Sequence, residues 1–224
     1  MNEAMNGDEK NDDKTINMKK ITMILCAAVM MLCVGCQQKA ETTEQTECET
    51  VKSTTMEDLL TRRSVRSYTD SIPPMEVIEE ICKAGTYAPT GMNRQSPIII
   101  AVTNKEMRDR MSKLNAGVMG ADNDPFYGAP VVLVVLADKS VHTCVEDGSL
   151  VMGNLMNAAH AKGLGSCWIH RAREVFESEE GKQILKELGI EGDYVGVGNC
   201  ILGYTKGDYP EAKPRKENWV YWVK

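Results

Sequence analysis

The sequence of 224 residues lacks an excess of positive charge, closely spaced metal ligands and an apolar run long enough to cross a bilayer securely. Its formal net charge is −6 and its basic residues are dispersed, which argues against nucleic acid as a partner. No internal repeat is visible. The content of 42% hydrophobic and 26% charged residues is ordinary for a globular protein, so we expect one domain with extra segments. A small anionic ligand fits this composition, because local pairs of arginines can act within an acidic chain.

The N-terminal region predicts targeting rather than fold. Lys19 and Lys20 precede a run of apolar and small residues, 21–35, which matches the charged and hydrophobic regions of a secretory signal. This run is short for a membrane span, and a buried core helix is the alternative. Residues 1–17 are acidic and polar, which is a poor fit to a signal. We therefore expect translation to begin at Met18.

A lipoprotein-type signal peptide is predicted over residues 18–36, with Cys36 as the acylated residue. Cys33 stands where the bacterial lipobox usually has Leu, so the match is imperfect. Residues 37–54 are rich in Thr, Glu, Gln and Ser, which is typical of a solvated, disordered tether. The sequence thus predicts a folded domain over residues 55–224, anchored by lipid to a bacterial membrane and facing outside the cytoplasm.

Four of the eight cysteines fall in the folded part, and they lack the paired short spacing of a zinc site. They are Cys82, Cys144, Cys167 and Cys200. We interpret them as buried apolar residues, with a disulfide permitted but not required in an exported protein. No metal is expected.

Hydrophobic periodicity predicts a mixture of helices and strands. Helices are expected over residues 56–63, from Pro74 to the break at Pro89, and over 105–114, 144–162 and 178–188. Nearly continuous β-branched runs predict central strands over 97–103 and 130–137, and a strand punctuated by Gly over 194–204. In the long helix, the residues spaced for burial are Leu150, Val151, Asn154, Leu155 and Ala158. Residues 206–224 lack periodicity and should cross the surface or a partner subunit.

Two cationic segments lie at opposite ends of the globular region. Arg62, Arg63 and Ser64 offer guanidinium donors and a hydroxyl, and Lys213 and Arg215 offer two further cations. Together they suit a terminal phosphate held between distant parts of the chain. Each segment considered separately is typical of a solvated charged surface.

Two further segments combine Gly with small polar side chains. Residues 89–95 begin as a rigid turn and present Thr90, Asn93 and Gln95, whose hydroxyl and amides can bind the edge of a polar ring. A helix-terminating loop is the simpler alternative. Residues 163–170 can bring backbone N–H groups against a flat ring, or they can be a helix C-cap that runs into a strand.

In this order and spacing, the segments resemble the FMN-dependent nitroreductase family over about residues 55–215. The motifs are RRSVRSY at 62–68, APTGMNRQ at 88–95, NLMNAAHAKGLGSCWI at 154–169, ILGY at 201–204 and KPR at 213–215. The resemblance implies an α+β fold with a central mixed β-sheet flanked by helices. It also implies a homodimer that holds FMN at the subunit interface, with NAD(P)H as electron donor.

The resemblance also assigns roles to particular residues. Those implied to hold the phosphate are Arg62, Arg63, Ser64, Lys213 and Arg215, and Arg66 joins the cofactor-binding set. Those implied to reach the flavin from the partner subunit are Pro89, Thr90, Gly91, Asn93 and Gln95. The backbone of residues 166–170 is implied to face the reactive ring nitrogen, with Ser166, Trp168, Ile169 and His170 as binding residues. Backbone N–H groups near Ile169 and His170 would support the negative charge of the reduced ring.

Some positions depart from the family pattern. Ser96 follows Gln95 where many relatives have Pro and an aromatic residue. The family contact from the loop after the first long strand has Asn115 as its nearest candidate. His170 stands where some relatives have an acidic residue or Gly, and His142 and His160 show no persuasive partner in the sequence.

The function expected from the resemblance is reduction of nitroaromatics, quinones or similar acceptors with electrons from NAD(P)H. The flavin would perform the hydride chemistry, so no catalytic acid or base is expected. NAD(P)H is scarce outside the cytoplasm, which conflicts with an export signal. The alternatives are a surface-anchored, flavin-binding accessory protein of the cell envelope, and a dehalogenase or flavin-fragmenting enzyme of the same fold. Enzymes of the latter group often carry an inserted lid, and this sequence has no long insertion.

Overall fold

The computed structural model describes residues 56–224. The predicted signal peptide, Cys36 and the tether lie outside the described residues. The helices are α1 (Met56–Thr61), α2 (Met75–Thr86), α3 (Lys105–Met119), α4 (Cys144–Ala161), α5 (Ala172–Glu177) and α6 (Glu179–Glu187). The strands are β1 (Pro97–Val102), β2 (Val131–Asp138), β3 (Gly165–Ile169) and β4 (Tyr194–Gly203). A short 3-10 turn covers Gly91–Asn93.

The four strands form one sheet in the order β1-β2-β4-β3, and each neighbouring pair is antiparallel. The α+β fold is confirmed, but among the described residues the named strands do not form the mixed sheet that we expected. The parallel element is an isolated bridge between Ser64 and Ser166. An apolar run indicates burial on both faces and contains no information on strand direction, which explains this difference.

Strand β2 lies at the centre of the sheet and explains why the core has two halves. Its side chains from Val131 to Ala137 are fully buried, and successive ones point to opposite faces of the sheet. One face packs with residues of α5 and α6, and the other packs with α2 and α4. The sheet is therefore covered on both faces, as the β-branched sequence predicted.

The long helix α4 crosses one face of the sheet and orients the segments on either side of it. Val151 and Leu155 are buried as expected, but Leu150 is 49% exposed, so its predicted burial is wrong. The buried face includes instead Asp147, Met152 and Ala159. The buried face of α4 thus follows every fourth residue from Asp147 and excludes Leu150. This places the acidic side chain of Asp147 inside the protein.

Helix ends follow local capping chemistry where the sequence provides it. Asn104 accepts a hydrogen bond from the Met107 N–H at the start of α3, and Gly120 ends that helix in the left-handed conformation. Helix α3 therefore continues to Met119, beyond the predicted end at Leu114. Residues after β4 run without regular structure along an exposed path. Within residues 56–224, no helix has the length and apolar character that a membrane crossing requires.

Candidate functional site

The structure brings the Arg62–Ser64 segment alongside strand β3. The Val65 N–H donates to the Ser166 carbonyl at 3.0 Å, and Ser64 and Ser166 form the isolated parallel bridge. This approach requires Gly165, because a Cβ at that position would lie 2.9 Å from the Cβ of Val65. Two motifs that are about 100 residues apart in the sequence therefore form one continuous backbone surface.

The two arginines of this segment have polar atoms that are buried without a protein partner. They are Nη1 of Arg62 and Nε of Arg63. The other end of the Arg63 guanidinium is fixed, because its Nη1 donates to the carbonyls of Leu60 and Arg62 at 2.8 Å each. A buried donor without an acceptor is costly, about 1–3 kcal/mol, so this arrangement is suited to an anion that supplies the acceptor. Arg66 is exposed, and its Nη1 lies 3.4 Å from the carbonyl of Ser64 in the same segment.

The second cationic segment is exposed in the structure. Lys213 and Arg215 lie in the irregular C-terminal region, and among the described residues no hydrogen bond links them to Arg62, Arg63 or Ser64. The contact between the two regions is made by Tyr209, whose hydroxyl accepts a hydrogen bond from the Arg63 N–H at 2.7 Å. The structure therefore brings the C-terminal segment to the first arginine pair without joining the cations themselves.

The loop from Pro89 to Gln95 is held in an unusual backbone conformation. Three of its residues have positive φ, namely Met92, Asn93 and Gln95. Within the loop, the Gln95 N–H donates to Thr90 Oγ1 at 3.1 Å, and Gln95 Nε2 donates to Asn93 Oδ1 at 3.2 Å. Left-handed backbone at residues other than Gly is uncommon and persists where surrounding contacts enforce it. Pro89, Asn93 and Gln95 are exposed, and Met92 is 82% exposed, so the loop projects outward.

A buried carboxylate that the sequence analysis missed fastens this loop to α4. Asp147 is 2% exposed and accepts from the Gly91 N–H at 2.9 Å and from Ser96 Oγ at 2.9 Å. Thr143 Oγ1 donates to the same carboxylate at 3.2 Å. A signal was present in the sequence, because Asp147 stands at helical spacing from Val151 and Leu155 on an otherwise apolar face. Ser96, which departs from the family pattern, is thus an anchor for the loop.

The carbonyl groups at the end of β3 are fixed by two asparagines. Asn115 Nδ2 donates to the His170 carbonyl at 2.9 Å, and Asn199 Nδ2 lies 3.3 Å from the Ile169 carbonyl and 3.4 Å from that of His170. Both asparagines are buried. Asn115, the candidate contact named from the sequence, lies against this segment, whereas Asn199 had no signal beyond its place in a strand. His170 itself is exposed.

The side chains of β3 divide between the two faces of the sheet. Trp168 packs toward α4 beside Gly198, and its indole Nε1 is buried without a partner. Ser166 is buried, and its Oγ lies 3.5 Å from the Met156 carbonyl. The side chains of Ser166 and Trp168 thus face the core, which leaves mainly the backbone of this strand for a ligand.

The four cysteines of the domain are free thiols. Cys167 and Cys200 are buried, Cys82 and Cys144 are half-buried, and burial raises the pKa of Cys200 to about 12. A thiol with so high a pKa is not an effective nucleophile at neutral pH. Among residues 56–224, no three His, Cys, Asp or Glu side chains cluster as a metal site would require.

A groove of about 600 Å³ lies between α2 and the edge strand β1, next to the Pro89–Gln95 loop. Thr90 and Gln95 line one end of it, and the rest is mostly apolar, with Ile78, Cys82 and Ile98 among its walls. Its position next to the loop places an apolar surface beside two of the residues expected to bind a ring.

The family model described as Nitroreductase family matches residues 59–121 and 117–204 of the sequence. These ranges include three of the segments described above. The chain belongs to the nitroreductase family. A protein of Archaeoglobus fulgidus, provisionally assigned as an NADH dehydrogenase/NAD(P)H nitroreductase, is 34% identical over 70% of this chain and 90% of its own length.

Two further relatives bear on the site of this nitroreductase-family chain. The FMN reductase [NAD(P)H] of Bacillus subtilis is 30% identical over 71% of this chain and 69% of its own length. A crystal structure of a nitroreductase with bound FMN from Bacteroides fragilis superposes with a TM-score of 0.69 at 25% identity. That superposition covers 75% of this chain and 97% of the neighbour, so the described domain corresponds to nearly the whole of that protein.

Proposed function

We propose that the protein is an FMN-dependent oxidoreductase that takes electrons from NAD(P)H and passes them to a nitroaromatic, a quinone or a similar acceptor. The observation that carries this proposal is the pair of buried guanidinium nitrogens of Arg62 and Arg63 that lack an acceptor. A phosphate of FMN supplies the acceptors that these atoms need. Support for the cofactor and the donor comes from relatives, one named as an NAD(P)H-dependent FMN reductase and one crystallised with FMN.

The residues present fit FMN in their chemistry. Arg62, Arg63 and Ser64 would hold its phosphate, with Lys213 and Arg215 adding charge from the C-terminal segment. In a homodimer, the Pro89–Gln95 loop of one copy would offer a hydroxyl and two amides to the ring and the sugar chain held by the other copy. The backbone of residues 166–170 would lie against the ring, with Arg66 at the exposed margin of the site.

The asparagines at the end of β3 determine which way the backbone N–H groups point. In a trans peptide the C=O and N–H groups point in opposite directions. Because Asn199 binds the Ile169 carbonyl, the His170 N–H points away from Asn199. By the same reasoning, the Arg171 N–H points away from Asn115, because Asn115 binds the His170 carbonyl. These fixed dipoles would stabilise negative charge on a bound ring.

FMN, when bound, would supply the hydride and electron-transfer chemistry between NAD(P)H and the acceptor. We therefore propose a ping-pong sequence in which the two substrates use one site in turn. The residues of the chain bind and orient, and none is needed as a catalytic acid or base. His170 is exposed and would give this site a polar margin.

We also propose that the active form is a homodimer. The C-terminal segment exposes several large apolar side chains, namely Trp219, Tyr221, Trp222 and Val223. Strand β1 is an edge strand, and the apolar groove beside it adjoins the outward-projecting loop. Exposed apolar surface of this kind favours burial against another chain, and a second copy offers both surfaces at once.

Our proposal for where the protein acts rests on the N-terminal sequence alone. We propose that Cys36 is acylated and that the domain acts in the cell envelope, outside the cytoplasm. Mass spectrometry of the mature protein tests this: a chain that begins at a lipid-modified Cys36 supports the anchor, and an unmodified chain that retains residues 18–35 contradicts it. The predicted export also favours a second candidate, a flavin-binding accessory protein without NAD(P)H turnover.

Steady-state oxidation of NADH in the presence of a nitroarene separates the two candidates. An oxidoreductase consumes NADH at a rate that depends on the nitroarene concentration, with the parallel double-reciprocal lines of ping-pong kinetics. An accessory protein binds FMN and consumes no NADH above the rate of free FMN. Protein that neither binds FMN nor oxidises NADH refutes both.

A further inference from the structure

Tyr209 makes a set of contacts that the proposed function does not use. Its hydroxyl accepts from the Arg63 N–H at 2.7 Å and lies 3.2 Å from Nδ1 of His160. Its ring also stacks on the His160 imidazole, with centroids 5.6 Å apart and an interplanar angle of 27°. The residue comes from the irregular C-terminal segment, yet it is fixed from two directions by the folded domain.

The hydrogen-bond directions follow from the neighbouring groups. Thr61 Oγ1 donates to the Glu57 carbonyl at 2.8 Å, so it accepts from Nε2 of His160 at 2.9 Å. In a neutral imidazole the other nitrogen, Nδ1, is then an acceptor, and the Tyr209 hydroxyl donates to it. With His160 neutral, the Tyr209 oxygen donates one hydrogen bond and accepts another, from the Arg63 N–H. A phenylalanine keeps the ring but can make neither bond.

The contact of Tyr209 with Arg63 limits how far Lys213 and Arg215 can lie from the first arginine pair. Arg63 is one of the two arginines with a buried unpartnered nitrogen, and its own backbone N–H is the group that Tyr209 binds. From Tyr209, an extended chain reaches at most about 3.3–3.6 Å per residue, so Lys213 remains within about 14 Å of this point. Without this contact the segment would be held only from Lys206, whose N–H donates to the Ser67 carbonyl at 3.0 Å. The same charges would then be distributed over a larger volume, which lowers their effective concentration.

We propose that Tyr209 is a positioning residue: its hydroxyl fastens the C-terminal segment to the backbone of Arg63 and thereby brings Lys213 and Arg215 to the phosphate of the ligand. This inference rests on the proposed function, because it requires a phosphate at Arg62 and Arg63. Tyr209 acts through the other residues and does not itself touch the phosphate.

The test compares Tyr209→Phe with Tyr221→Phe in the full-length protein. Tyr221 is a matched control, since it lies in the same segment, is 83% exposed and has no side-chain hydrogen bond among the described residues. Phenylalanine also keeps the apolar ring that the proposed dimer surface would use. The dissociation constant of FMN is measured from the quenching of its fluorescence. We expect Tyr209→Phe to weaken FMN binding about five- to tenfold, as for loss of one or two hydrogen bonds, and Tyr221→Phe to leave it unchanged.

A double-mutant cycle distinguishes positioning from a general loss of structure. Arg215→Ala is introduced into the wild-type and the Tyr209→Phe backgrounds, and FMN affinity is measured in all four proteins. If Tyr209 delivers Arg215, the arginine substitution costs less affinity once Tyr209 has lost its hydroxyl. Additive effects overturn the proposal, because they mean that Arg215 reaches the phosphate without this contact.

A readout without FMN separates failure of this inference from failure of the proposed function. The rate of tryptic cleavage after Lys206 and Arg215 reports release of the segment, and we expect it to rise in Tyr209→Phe but not in Tyr221→Phe. Equal cleavage in the two variants overturns the attachment. Faster cleavage with unchanged FMN affinity overturns the link to the phosphate. If the wild-type protein binds no FMN, the proposed function fails, while cleavage still tests the attachment.

Discussion

Replacement of Asp147 by Ala is the substitution that the structure predicts to disturb the Pro89–Gln95 loop most directly. The carboxylate is buried and accepts hydrogen bonds from the Gly91 N–H, Ser96 Oγ and Thr143 Oγ1. Alanine leaves the loop without its attachment to α4. The three residues with positive φ then have less to hold them in that conformation.

The magnitude follows from counting the donors that lose their acceptor. A hydrogen bond to a charged group contributes about 1.5–3 kcal/mol. Ser96 is buried and the Gly91 N–H cannot rotate, so we count these two and allow the Thr143 hydroxyl to turn elsewhere. The free energy of unfolding should fall by about 3 kcal/mol or more. For a domain of this size, that corresponds to a fall in Tm of roughly 6–12 °C.

Thermal unfolding followed by circular dichroism measures this effect, with FMN affinity as the second readout. Glu146→Ala is the matched control, because Glu146 is the exposed neighbour in the same first turn of α4. Asp147→Asn should fall between the two, since its amide oxygen still accepts from one donor and Ser96 Oγ can accept from its NH₂. If Asp147→Ala melts within about 2 °C of Glu146→Ala, the anchoring role is refuted.

Three further predictions concern the phosphate site, acid stability and the loop. Arg62→Ala combined with Arg215→Ala should weaken FMN binding at least about 100-fold, since each removes charged hydrogen bonds; yellow purified protein would contradict this. Burial alone would raise the pKa of Asp124, but hydrogen bonds from Arg108, Ser112 and two backbone N–H groups outweigh it and lower that pKa. Its stabilisation is therefore present above the unfolded-state pKa of about 3.9 and is lost as pH falls through the lower folded-state value, so urea unfolding of Asp124→Asn and wild type should converge in acid. Gly91→Ala should lower Tm, because its Cβ would lie 2.3 Å from Thr143 Oγ1; Thr143→Ala should recover part of the loss, and no recovery would refute that clash.

The sequence was sufficient for features that depend on local patterns. β2 is a continuous apolar run and α4 has a helical apolar stripe, and both lie close to their predicted bounds. The six-residue helix α5 was missed because one and a half turns contain too few residues for a periodic signal. The antiparallel direction of neighbouring strands could not be predicted from a local pattern either, because it depends on how distant segments pair.

The candidate site shows the same division between local and distant information. The motifs at 62–64, 89–95 and 163–170 were identified in the sequence, and the structure places the first beside the third. The residues that hold these segments, Asp147 and Tyr209, were not identified. Asp147 binds residues 4, 51 and 56 positions away and Tyr209 binds one 146 positions away. Helical spacing can indicate that Asp147 is buried, but it cannot indicate such distant partners.

The same limit explains His160, for which the sequence suggested no partner. In the structure its two ring nitrogens meet Thr61 from α1 and Tyr209 from the C-terminal segment. Both partners lie far away in the sequence and neither is of a type that predicts a histidine contact. Polar networks of this kind become visible when the fold has brought the elements together.

The most direct test of the account is the absorbance spectrum of the purified protein after incubation with FMN and removal of the unbound cofactor. We predict that the protein retains the yellow absorbance of oxidised flavin in a ratio near one per chain, and that NADH bleaches it in the absence of oxygen. Protein that emerges colourless, with no flavin retained, would contradict the claim that Arg62 and Arg63 hold the phosphate of FMN.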